Sequence, residues 1–134
     1  MRIEDHKKRL EESLKAIEES IEKGIVERQR NIGFNTSAAA TDMLEILLHK
    51  KFLIDQGMVV KHEWLKSKKS IQNKLPFEFK NKEKIIDLIF KIEEKRNVLC
   101  YGKPQKAETI QELIENFNKL KDILKEEVLY DTAK

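Results

Sequence analysis

The sequence predicts an all-α fold, a single-domain bundle of four long antiparallel helices plus a short helix, spanning residues 1–134. Three observations predict it. Apolar residues recur at steps of three, four and seven in several segments, the period of a helix with one buried face. Glycine and proline are scarce, at four and two residues, so few positions break such segments. Charged residues reach 38% beside 40% apolar, a mixture that suits amphipathic helices with solvated outer faces.

The elements follow in order. Ile3, Leu10, Leu14, Ile17 and Ile21 mark a first helix ending near Gly24. A second is expected from about Thr36 to Asp55, with Ala40, Met43, Leu44, Leu47, Leu48 and Lys51 on one broad face and Phe52 at its margin. Ala38 to Ala40 favour helix and allow a neighbouring backbone to come close. Gly33 weakens the upstream stretch, and Asp55-Gln56-Gly57 reads as a helix stop. A short helix is expected from His62 to Asn73, closed by Leu75-Pro76. Asn81 reads as the N-cap of a fourth helix carrying Ile85, Ile86, Leu88, Ile89 and Ile92 towards Leu99. Gly102-Lys103-Pro104 is a turn, and the last helix is expected from Glu108 to Leu129 behind Ile110, Leu113, Ile114, Phe117, Leu120, Leu124 and Val128.

Several classes are set aside. No apolar stretch approaches the roughly 18 residues of a membrane span, and the charged start does not read as a signal peptide. A single cysteine, Cys100, allows no internal disulfide, so a cytoplasmic, reducing compartment is expected. Its partly apolar surroundings suit an inert buried thiol. Asn35-Thr36-Ser37 matches a glycosylation acceptor that nothing else in the sequence supports. His6, His49 and His62 lack ligand-like spacing, so neither a metal nor another cofactor is expected. His49 is expected at the polar margin of the second helix and His62 on the basic surface. The net charge is +3, yet the segment from Lys61 to Lys84 holds eight lysines against three glutamates, and the end is acidic. That asymmetry suits nucleic acid or pairing between subunits, and equally a solvated surface.

The run Arg96-Asn97-Val98-Leu99-Cys100-Tyr101-Gly102 carries the chemistry. On a helix Asn97 and Tyr101 share a face and Arg96 adjoins it, so a guanidinium, an amide and a phenol project together. Arginine's planar fork suits a phosphate. The plainer alternative has Arg96 capping the helix C-terminus and Tyr101 plugging the bundle.

The run resembles the signature of the HEPN family, Arg-Asn-x-x-x-His-Gly, with Arg96, Asn97 and Gly102 matched and Tyr101 in the place of the histidine. A weaker likeness covers Ser37 to Lys51, which is similar to the family's long second helix. The resemblance implies a four- to five-helix bundle that forms a homodimer, with the motif lining a cleft between subunits. Active HEPN members are metal-independent ribonucleases that drive the RNA 2′-hydroxyl onto the adjacent phosphate. Many are toxins of toxin–antitoxin pairs whose partner is a minimal nucleotidyltransferase. The resemblance makes Arg96, Asn97 and Tyr101 the motif positions; Lys50, Lys51, Lys95 and Lys103, the lysines closest in sequence to the two resembling segments, are the candidate RNA phosphate contacts. A phenol ordinarily titrates near pH ~10 and an imidazole near ~6.5, so a tyrosine is the poorer proton acceptor at neutral pH. The expected function is therefore binding of RNA or of a nucleotidyltransferase partner by a degenerate ribonuclease motif. Two alternatives stand beside it: an active, metal-independent toxin-type endoribonuclease with Arg96 essential and Tyr101 or a recruited histidine, His49 or His62, in support, and a purely structural interaction module.

Overall fold

The computed structural model describes residues 1–129; the last five positions of the expected domain lie outside the described residues. The chain is all-α, with no strand among the described residues. Helices α1 (Ile3–Lys23), α2 (Gln29–Lys50), α4 (Lys82–Tyr101) and α5 (Ala107–Leu124) are long, and α3 (Lys68–Lys74) is short. A 3₁₀ turn, His62–Lys66, precedes α3, and a wider turn, Lys125–Leu129, follows α5. None of the described helices is long and apolar enough to cross a membrane.

Helix α2 is the centre. From Thr36 to His49 it is buried on nearly every side, and α1, α4 and α5 all pack on it. A helix apolar around most of its circumference belongs inside a bundle. Its fully buried Ile32, Met43, Leu44, Ile46, Leu47 and Leu48 meet Leu10 and Ile17 of α1, Ile85, Ile89 and Ile92 of α4, and Leu113, Phe117 and Leu120 of α5 in one core. Helices α2 and α4 run in opposite directions, since Gly33 abuts Leu99 while Ser37 reaches Glu93.

Both ends of α2 differ from the sequence expectation. It begins at Gln29, seven residues before Thr36, and Gly33 lies within it. A Cβ there would stand 2.9 Å from Leu99 Cβ and 3.5 Å from Cys100 Sγ, so the glycine lets α4 approach. The Gln29 side chain fixes the start: it donates to the carbonyls of Val26 and Gln105 and accepts from the Gln105 amide. The helix stops at Lys50, ahead of Asp55. Phe52 takes φ 57°, its amide returns to the His49 carbonyl, and the next amide returns to that of Leu48. This is the paired C-terminal bonding that glycine usually closes. Lys51 is exposed, and Phe52 is 92% exposed, so neither serves the expected apolar face.

The expected short helix divides in two because Ser67, extended, caps α3 through its Oγ on the Ser70 amide. Asn81 does precede α4, but it acts through its left-handed backbone, with no side-chain cap bond. Three lysines of the basic middle segment have close partners. Lys68 pairs with Asp87 at 2.8 Å, Lys74 lies over Trp64, and Lys82 lies over Phe79.

Replacing Gly33 with valine is expected to push α4 off α2. Overpacking of this kind typically costs about 1–3 kcal/mol. A lower urea midpoint with an unchanged denaturant slope checks it.

Candidate functional site

The last turns of α4 present the motif. Asn97 and Tyr101 are exposed, Tyr101 to 73%, whereas the Arg96 side chain is 18% exposed. The Arg96 guanidinium lies over the Tyr101 ring at 5.7 Å and faces Glu93 Oε2 at 3.7 Å, one helical turn back. The plug half of the plainer alternative therefore fails: Tyr101 is a surface platform, and Arg96 leans on it. A guanidinium over an aromatic face is attracted by the ring quadrupole. Among the described residues, Arg96 Nε is buried with no hydrogen-bond partner. Gly102 closes the helix, its amide on the Val98 carbonyl at 2.9 Å, and a Cβ there would meet that oxygen at 2.7 Å.

Glu93 joins this motif to two other elements. Its Oε1 accepts from Ser37 Oγ of α2 at 2.8 Å and lies 3.0 Å from His62 Nδ1 of the 3₁₀ turn. Ser37 Oγ and His62 Nδ1 are themselves 3.4 Å apart. The carboxylate is buried, while the His62 side chain is 42% exposed. With Nδ1 turned to the carboxylate, the ring's geometry directs Nε2 away from it. His62 thus has a place beyond the basic surface expected of it: it shares one carboxylate with Arg96. The sequence alone assigns neither Glu93 nor Ser37 a role. The available signal was a glutamate one turn before the arginine.

No known family, curated protein or solved structure matches the chain.

Other predicted site residues divide by position. Lys95 is partly buried and pairs with Glu112 at 3.6 Å, and Lys103 is exposed just past the motif. Lys50 and Lys51 stand at the opposite end of α2, about 20 Å along the helix axis from Ser37 at 1.5 Å per residue. Arg28 and Arg30 are the cations that α2 brings to the end of α4. They line a groove of about 310 Å³ with Asn31, Leu99 and Gly102. His62 borders a second cleft, of about 380 Å³, with Arg9, Phe34 and Lys61, and Asp42 and Glu45 in its wall.

Burial pushes the Glu93 carboxyl upward, but hydrogen bonds from His62 and Ser37 and the charges of His62 and Arg96 outweigh it, holding Glu93 below the ordinary value. Burial pushes the Cys100 thiol up, against the opposing charges of Arg96 and Arg30, which suits an unreactive thiol.

His49 is buried, at 8% exposure, rather than at a polar margin. It belongs to a cluster that sequence spacing hides. His6 of α1, 1% exposed, places Nδ1 2.8 Å from Asp42 Oδ1 and Nε2 3.3 Å from Glu45 Oε2. Glu45 also accepts from the Val60 amide.

Because Glu93 is depressed in the folded chain, its stabilising contribution is complete above the unfolded glutamate value of about 4.3. It is lost as pH falls through the lower folded value. Glu93→Gln is expected to flatten that part of the acid-unfolding profile while lowering stability at neutral pH, measured by urea titration across pH 3 to 7.

Proposed function

We propose that this chain is a HEPN-like protein that binds RNA through Arg96, Asn97 and Tyr101, acting as a homodimer with these residues at the cleft between subunits. A minimal nucleotidyltransferase is the protein partner this reading carries with it. One observation supports it above the others: the Arg96 guanidinium is oriented by Glu93 and Tyr101 but incompletely used. Its contact to Glu93 is long and its Nε has no partner among the described residues. Buried donors are nearly always satisfied, so an incoming phosphate oxygen answers a need already present. Tyr101 offers its ring to a base, and Arg28, Arg30 and Lys103 extend the positive surface for the flanking backbone.

A second reading, metal-independent cleavage, is favoured by His62. Tyr101 occupies the motif histidine's position, yet His62 lies against the carboxylate that Arg96 faces. In that reading His62 takes the proton from the ribose 2′-hydroxyl as it attacks phosphorus. Arg96 offsets the charge gathering on the phosphate oxygens, and the 5′-oxygen leaves with a proton from solvent or Tyr101. General acid–base assistance of this kind is worth roughly 10²–10⁴ in rate.

A labelled single-stranded RNA, titrated over a range of salt in chelator, tests both. Binding is expected to weaken steeply with salt. Losing a hydrogen bond to a charged group costs about 1.5–3 kcal/mol, so Arg96→Ala is expected to weaken binding roughly 10- to 100-fold. Tyr101→Ala removes a stacking platform worth about 1–3 kcal/mol per base. Wild-type cleavage lost in His62→Ala would establish the enzyme. No wild-type cleavage, with activity gained in Tyr101→His, would establish a degenerate site. RNA binding indifferent to salt and to Arg96→Ala contradicts the proposal.

A further inference from the structure

We propose that His6 and Glu45, with the neighbouring His49 imidazole drawn in, form a buried site for a divalent transition-metal ion of the zinc class, with Asp42 orienting His6, independently of any RNA-binding role. Asp42, Glu45 and His49 stand at i, i+3 and i+7 on α2, hence on one face, and His6 comes to them from α1. One ligating atom each of His6, Asp42 and Glu45 lies within 4.8 Å of the others. All three residues are at most 2% exposed.

The independent sign is what these groups leave unmade. Among the described residues, His6 Nε2, Asp42 Oδ2 and His49 Nε2 are all buried without a hydrogen bond, His6 Nε2 having only the 3.3 Å approach of Glu45 Oε2 and Asp42 Oδ2 the 3.8 Å approach of Arg9. Buried polar atoms are rarely orphaned, and two of these belong to the grouped residues while the third is on the neighbouring ring. The His6 and His49 ring centroids are 5.8 Å apart, placing a second imidazole beside the first. Asp42 on His6 Nδ1 is the carboxylate–histidine pairing that fixes a tautomer and turns Nε2 toward a metal. His49 forms a backbone hydrogen bond with Ile54, which supports its ring in turn.

Charge points the same way. Two buried carboxylates face one histidine, and the nearest arginine contact, Arg9 Nε to Asp42 Oδ2, is 3.8 Å. Isolated buried carboxylates are costly, and a divalent ion matches two of them. Two imidazoles among the donors favour zinc and its neighbours over calcium or magnesium, which prefer all-oxygen shells. Asp42 and Glu45 also line the 380 Å³ cleft, which gives an ion its way in. Bound there, it would tie α1 to α2. The rival arrangement is a protonated His6 bridging both carboxylates with no ion.

The test uses the full chain stripped with chelator and titrated with Zn²⁺ and Co²⁺. The expected results are one ion per chain, proton release on binding, a higher Tm, and a Co²⁺ visible spectrum of a nitrogen–oxygen site. Outer-shell partners typically affect affinity 10- to 100-fold, so Asp42→Asn is expected to weaken Zn²⁺ by about that much. His49→Gln should abolish the Co²⁺ spectrum, while His62→Gln leaves it intact. A wild-type Tm and spectrum indifferent to both metals would overturn the proposal. So would Zn²⁺ binding equal in the wild type, His49→Gln and Asp42→Asn, the mark of a surface ion. Should His49→Gln fail to fold, the wild-type titration and Asp42→Asn decide.

Discussion

One buried carboxylate, that of Glu93, organises the motif end of this molecule. A charge taken out of water costs several kcal/mol unless hydrogen bonds and counter-charges offset it. Two segments distant in sequence supply that offset, Ser37 from α2 and His62 from the 3₁₀ turn, together with Arg96 one turn further along α4. Each partner is thereby held in place. The serine fixes the register of α2 against α4, the histidine pins an otherwise irregular connection, and the arginine is turned onto Tyr101. Glu93 itself is acceptor-only when ionised and is remote from water. Its part is to set the positions of groups that are not.

Helix α2 carries two polar layers inside an otherwise apolar core. Ser37 faces α4, while Asp42, Glu45 and His49 face α1. Between and around them lie Ala39, Ala40, Met43, Leu44, Leu47 and Leu48, which make the helix the common neighbour of α1, α4 and α5. Buried polar groups in such a setting specify partners more than they stabilise, because a shifted register strands them. Gly33 has a matching role at the start of the helix. Without a side chain, it lets Leu99 and Cys100 close on α2, which brings Arg28 and Arg30 to the groove beside Gly102.

The helical class was legible because the stripes of α1 and α5 follow the 3.6-residue period over five turns or more. The ends of α2 were not. Gly33 reads locally as a break, and only its contact with Leu99 explains why the helix continues through it. Phe52 occupies a left-handed position that local sequence rules assign to glycine, so the stop was sought at Gly57 instead. The motif residues were found at the surface end of α4, as their helical spacing implies. The carboxylate that orients Arg96 was not found, because the Ser37–Glu93 and His62–Glu93 bonds span 56 and 31 positions, and nothing local encodes them. The same holds for His6 and Asp42, 36 positions apart. Lys50 and Lys51 are near the resembling segments only in sequence, whereas antiparallel packing brings Arg28 and Arg30 to the end of α4.

The proposal is that RNA meets Arg96, Asn97 and Tyr101 and, in its second reading, that His62, joined to Arg96 through Glu93, faces the same phosphate. The most direct measurement is an NMR titration of the labelled chain with a short RNA, following the His62 ring and Arg96 Nε signals together. The account predicts that both move with one saturation curve, and that Glu93→Gln uncouples them. Signals at His62 and Arg96 that stay fixed while RNA saturates another surface would contradict it.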